Sequence, residues 1–195
     1  RGSQKFPSTR QIARELEYLH AASFSADVLK IGERQLMEFY FDMVDPSLLP
    51  DGEENWKRGL ETFWDIALNP VTQGQAFVQE YFDQEKTNLR REVEGLVNNK
   101  RAYALARAVE FMCADEPYGV YKYGSADGIE ALENAPTYQY YQDLLKHRPI
   151  DIFLVGRNLD LLANEIARLS LNRGEVAALR PIVIEDIKEE RFHVE

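Results

Sequence analysis

One cysteine, three histidines and no run of about 18 apolar residues set the first limits on this 195-residue chain. The lone Cys113 leaves no disulfide framework and points to a reducing, cytoplasmic setting. Its apolar neighbourhood, Ala108-Val-Glu-Phe-Met-Cys113, reads as the site of a buried, inert thiol. The mean hydropathy of −0.43 gives no support for a membrane span. Positive charge is the scarcer sign: 23 Lys and Arg stand against 33 Asp and Glu, a net charge of −10. That balance argues against sequence-independent nucleic-acid binding and against docking on anionic lipid, because both surfaces would be repelled. No signal peptide, internal repeat or low-complexity tract is visible.

What is present is a series of short, well-punctuated elements. Ser8 is placed to cap a helix from Thr9 to His20, with Ile12, Leu16 and Leu19 on one face. Alternation of Phe24, Ala26 and Val28 predicts a strand over 22–30. The turn Ile31-Gly32-Glu33 leads into a second strand over 34–44, with Met37, Phe39, Phe41 and Met43 on its core face. The pair reads as an antiparallel hairpin.

A Pro/Gly-rich loop over 46–53 precedes an amphipathic helix over 54–68, whose stripe is Trp56, Leu60, Phe63, Trp64 and Ala67. Asn69-Pro70 ends it. A long helix over 77–97 breaks at Asn98-Asn99. The next, over 101–113, is expected to pack Tyr103, Leu105, Ala106, Val109 and Met112. An aromatic loop, Pro117 to Gly124, follows. Short helices are expected at 125–132 and 136–147, a β run at Ile150–Val155 closed by Gly156, and a last helix over 159–171.

This order predicts an α+β fold, a small antiparallel sheet with helices packed on one face. Residues 1–172 read as a partial domain and 173–195 as a linker or tail toward a following domain. The opening Arg1-Gly-Ser-Gln-Lys-Phe-Pro-Ser-Thr9 reads as a loop entered from earlier chain, so further strands of the sheet are expected upstream.

The long helix carries the chemistry of interest. Glu85 and Glu92 are seven residues apart, which brings them within about 20° of each other on a helix surface. Val78, Phe82, Leu89, Val93 and Leu96 define the apolar stripe, and the two carboxylates sit on its flank. A carboxylate beside an apolar face needs a partner: an arginine, a backbone amide or a metal ion. Ion pairing with Arg90, Arg91, Arg101 or Arg107 would meet that need without any functional role.

Several phrases together resemble the M16 peptidases, the insulinase and mitochondrial-processing-peptidase group. They are Gln84-Glu85-Lys86, Asn99-Lys-Arg-Ala-Tyr103, Met112-Cys113, Glu116-Pro-Tyr-Gly119 and Tyr121-Lys-Tyr-Gly124. The likeness runs from Arg1 to Gly156 and falls with a bacterial subgroup of inactive domains. It implies an M16-type α+β domain. Active members hold zinc with H-x-x-E-H on one helix, the Glu acting as general base, and a distant Glu as third protein ligand. By the resemblance, Glu92 stands at the third-ligand position, here vestigial, and Glu85 is a supporting carboxylate.

The H-x-x-E-H motif is absent from these residues; His20, His147 and His193 are isolated. No cofactor is therefore expected in this chain, and zinc only if the motif lies upstream of Arg1. The resemblance also makes Ser23, Phe24, Ser25, Ala26 and Asp27 a substrate-binding edge strand, where active relatives read Asn-Ala-aromatic-Thr. Asp27 replaces an aromatic contact with a charge, and the lost Asn amide removes a donor that could steady a tetrahedral intermediate.

These readings imply a non-catalytic domain that encloses a peptide chamber with a second M16-like domain or an active M16 subunit. Its partners would be that subunit and peptides, not nucleic acid or membrane. The alternatives are an active zinc metalloendopeptidase with its motif upstream, and a purely structural interaction module.

Overall fold

The computed structural model describes residues 1–157, 159–168, 174–179 and 181–182. In order these form α1 (Thr9–Tyr18), β1 (Ser23–Ile31), β2 (Arg34–Asp42), α2 (Gly52–Leu68), α3 (Gln79–Gly95), α4 (Lys100–Met112), α5 (Ala126–Glu130), α6 (Asn134–His147) and α7 (Leu159–Arg168). The class is α+β, with β1 and β2 as a two-stranded sheet. The chain divides into two compact units. The first comprises residues 1–25, 39–78 and 134–178, and the second 26–38, 79–133 and 179–195. The expected end of the last helix at 169–171, the 172/173 boundary and most of the tail, including Val183 and Ile184, lie outside the described residues.

In the first unit, the root of the hairpin packs on α2. Phe63 is the hub: its ring lies 6.2 Å from Phe24, 5.6 Å from Phe41 and 5.0 Å from Trp64. Each such pair contributes about 0.5–1.5 kcal/mol beyond the area it buries. Gly59 permits the approach, because a Cβ there would lie 2.7 Å from the Met43 sulfur. Leu19 is fully buried behind α1. The helix is capped by the Ser8 hydroxyl, which accepts from the Gln11 N–H as its sequence position predicted. It stops at Tyr18 because His20 and Ala21 both take left-handed backbone conformations, at φ 58° and 61°.

A charged clamp joins α1 to α2. Glu15 accepts from Arg58 Nε and Nη2 at 2.6 and 2.7 Å and from the Thr62 hydroxyl at 3.3 Å. The Arg58 guanidinium also lies over the Tyr18 ring, 3.8 Å from its centroid. Glu15 is buried, and the Arg58 hydrogen bonds hold its carboxyl below the usual glutamate range against the opposing effect of burial.

Three expectations need correction. The long helix begins at Gln79, not Phe77, because the Asn134 side chain engages both main-chain groups of Phe77: its Oδ1 accepts from the N–H at 3.0 Å and its Nδ2 donates to the carbonyl at 2.9 Å. Residues 150–155 form no strand among the described residues, since no neighbouring strand pairs with them. On α4, Tyr103, Ala106 and Val109 are partly covered, but Leu105 and Met112 are 67% and 73% exposed, with nothing in the described residues over that line of the helix.

The clamp predicts asymmetric costs. Arg58→Ala strands a buried carboxylate and should destabilise the protein by about 2–4 kcal/mol, more than Glu15→Gln, which leaves a partly solvated guanidinium. Because the Glu15 carboxyl is held low when folded, its contribution is present above the ordinary glutamate value and fades as pH falls through the lowered one. Urea melts at neutral and acidic pH should therefore show the Arg58→Ala penalty shrinking in acid.

Candidate functional site

Of the residues singled out by sequence, Ala26, Asp27, Glu85 and Glu92 lie in the second unit and Ser23, Phe24 and Ser25 in the first. Lys30 Nζ donates to the carbonyls of Tyr118, at 2.6 Å, and Val120. Gln35 Nε2 donates to the carbonyl of Lys122 at 2.6 Å. The segment is turn-rich: Pro117–Gly119 is a 3₁₀ turn and the Gly124 N–H donates to the Tyr121 carbonyl at 2.8 Å, and side chains of the hairpin take three of its carbonyls. Lys30 also lies 5.2 Å from the Tyr118 ring centroid.

Asp27 completes the fastening. Its carboxylate accepts from the Val28 N–H at 2.7 Å and from the Tyr123 hydroxyl at 2.9 Å, with Lys122 Nζ at 3.5 Å. The Val28 N–H, then Tyr123 and Lys122, hold the Asp27 carboxyl below the usual range. Lys122 is pushed up, first by its interaction with Tyr123 and then by Asp27. For Tyr123, Lys122 pulls the phenol down, but burial, donation to Asp27 and the nearby Glu92 carboxylate outweigh it and the net direction is up.

Asp27 of β1 thus meets Tyr123, a residue of the aromatic loop and of the Tyr121-Lys-Tyr-Gly124 phrase. No local pattern reveals the Asp27–Tyr123 pair, whose members are 96 residues apart.

The hallmark phrases turn out to be built into the scaffold. Asn99 caps α4, its Oδ1 accepting from the Ala102 N–H at 3.1 Å. Lys86 Nζ, mostly buried along its length, satisfies the terminal carbonyls of α5 at Glu130 and Leu132, at 2.5 and 3.2 Å. Gly119 must be glycine, because a Cβ would lie 2.1 Å from the Cys113 carbonyl oxygen. Cys113 itself is half-buried, not fully enclosed as its apolar neighbours suggested. The tyrosines divide by unit: Tyr121 and Tyr123 form an edge-on pair at 5.8 Å, whereas Tyr138 and Tyr141 pack on Phe77 in the first unit. Burial pushes the Tyr141 phenol up, and its hydroxyl donates to the Ala67 carbonyl at 2.7 Å.

Glu85 and Glu92 share α3, and both are exposed. Two of the arginines that might have paired with them have other partners. Arg90 pairs with Glu94 and Glu130 at 3.7 Å each, and Arg107 pairs with Glu110 at 2.5 Å. Among the described residues, no group of three or more His, Cys, Asp or Glu side chains is disposed to hold a metal ion. His20 is an exposed residue at the exit of α1, and His147 closes α6 with Asp143 at 3.8 Å. His193 lies outside the described residues. The residues present do not fit a zinc ion by themselves.

Ser23 to Asp27 lie in β1 as expected. Ser23, Ser25, Ala26 and Asp27 are exposed, and Phe24 turns inward, 6.2 Å from Phe39 and 6.2 Å from Phe63. Among the described residues the only strand paired with β1 is β2, so its other edge has no strand partner there. No described helix is long and apolar enough to cross a membrane.

The coupling between Asp27 and Tyr123 is directly measurable. Asp27→Asn exchanges a charged acceptor for a neutral one and so favours the protonated phenol less; Tyr123 should ionise at lower pH, as read by ultraviolet difference absorbance against the parent and Tyr123→Phe.

Comparison with known proteins agrees with this picture at a coarse level. No family model matches the chain. It is 27% identical over 166 residues to a Bacillus subtilis (strain 168) protein described as "Probable inactive metalloprotease YmfF", a match covering 85% of this chain and 38% of that protein. The chain therefore spans well under half the length of that relative. In fold it is similar to the crystal structure of a conserved protein from Enterococcus faecalis V583, with a TM-score of 0.79 at 24% identity, over 95% of this chain and 45% of that one.

Proposed function

We propose that the chain is a non-catalytic domain of M16 peptidase type, which walls a peptide chamber completed by an active zinc-peptidase domain or subunit. The observation that carries this reading is the combination of two facts. Most of the chain is similar to a protein described as an inactive metalloprotease, and these 195 residues contain no H-x-x-E-H. In active members of such a family the metal would polarise a water for attack. No step of that kind is assigned to the residues here.

The geometry supports a division of labour. In this reading Glu92 is the vestige of a metal ligand, an exposed carboxylate on α3. Asp27, where active relatives place an aromatic contact, has its charge satisfied by Tyr123, Lys122 and the Val28 N–H. In this reading the former catalytic wall has become a fastening. The free edge of β1 at Ser23–Asp27 docks an extended peptide by main-chain pairing, which tolerates many side chains and suits a chamber of broad specificity. Asp27 engages the Val28 N–H, which marks the end of that docking stretch.

Proline scanning tests it. Successive N–H groups of a strand point to opposite edges, so of Ser25→Pro and Ala26→Pro one removes a free-edge donor and the other a ladder donor to β2. The variant that retains the parent circular dichroism should bind a fluorescent extended peptide about tenfold more weakly, a loss of about 1.4 kcal/mol. Unchanged affinity in that variant would contradict peptide docking on β1.

A further inference from the structure

The turn between α1 and β1 is made of consecutive left-handed residues, neither of them glycine. His20 and Ala21 hold φ at 58° and 61°. One such residue just past a helix end is ordinary, and glycine is the usual choice there. A second in succession is not, because a Cβ in this conformation crowds the following carbonyl oxygen. Histidine enters the region more readily than most residues, but alanine does not. The backbone around the pair is tied down. The Leu19 N–H donates to the Glu15 carbonyl at 3.0 Å, the Ala21 N–H to the Glu17 carbonyl at 3.3 Å and the Ala22 N–H to the Leu16 carbonyl at 3.0 Å. Leu19 is fully buried and Ala22 is 8% exposed, whereas His20 and Ala21 are both exposed. Packing therefore asks little of these two side chains, and glycine would fill either position with less strain.

Strain kept without a packing reason points to a requirement on the direction of the chain. β1 begins at Ser23, directly after this junction, and Ser23–Ser25 opens the stretch to which a peptide is proposed to add. Main-chain pairing gains from an edge that is fixed before the peptide arrives, because ordering backbone on binding lowers affinity. A glycine pair would open φ to both signs and let the root of the strand swing. A Cβ on each residue confines the junction to one narrow basin. We infer that His20 and Ala21 are positioning residues, a strained junction that sets the free edge of β1 at Ser23–Ser25 in its docking direction. The inference rests on the peptide-docking reading for its purpose, but the hold of the junction on the strand can be read without peptide.

Glycine at both positions separates positioning from stability, since the two should move in opposite directions. The double variant His20→Gly, Ala21→Gly should melt about 2–4 °C higher than the parent. Its Ser23–Ser25 amides should nevertheless exchange with deuterium about tenfold faster. It should also bind a fluorescein-labelled peptide of about eight alternating Thr and Val residues roughly tenfold more weakly. Ala21→Asn keeps a Cβ and tolerates the left-handed region, so it should retain the parent's exchange and affinity. A lower melting temperature in the glycine variant would show that the junction is unstrained, and unchanged exchange would show that it does not hold the strand. Either result overturns the inference, as does faster exchange with unchanged peptide affinity. A parent that binds no peptide, with exchange as expected, contradicts the docking reading alone and upholds the hold of the junction on the strand.

Discussion

The second unit depends on one device: side chains of a two-stranded hairpin gripping the main chain of the turn-rich segment 117–124. Lys30 and Gln35 take the carbonyls of Tyr118, Val120 and Lys122, and Asp27 takes the hydroxyl of Tyr123. A lone hairpin is only marginally stable in water and needs a third strand or a packed layer. Here side-chain hydrogen bonds to segment 117–124 tie the hairpin tip to the rest of its unit. The Gly119 approach to the Cys113 carbonyl fixes where the segment starts, and Gly124, at φ 74°, turns the chain out at its end. Each of these contacts is a hydrogen bond between polar groups of the chain itself, made at its surface.

The same logic explains why the carboxylate pair on α3 is so plain. A metal ligand set draws side chains inward and supplies each with a second partner. Glu85 and Glu92 are both exposed on α3. The Tyr123 hydroxyl in the same unit donates to Asp27 of β1.

Much of the scaffold was legible in the sequence because its cues are local. The Ser8 cap and the inward positions of Phe39, Phe41 and Met43 hold, whereas Met37, expected on the same face of β2, is 50% exposed. The failures share a cause at the opposite range. Phe77 is withheld from α3 by Asn134, 57 residues away, and Asp27 is answered by Tyr123, 96 residues away. Neither pairing leaves a periodic trace. The apolar character of 150–155 and of Leu105 and Met112 was read correctly, but apolar character predicts burial only where a covering element exists. The site was the least legible part, since spacing placed Glu85 and Glu92 on one helix face without revealing what faces them.

The central claim is that these 195 residues shape a peptide-handling wall and perform no hydrolysis. Metal analysis of the purified chain, combined with a peptidase assay on an unfolded protein with and without chelator, tests it most directly. The account predicts substoichiometric zinc and no chelator-sensitive cleavage. One tightly held zinc per chain, together with proteolysis that the chelator abolishes, would contradict it.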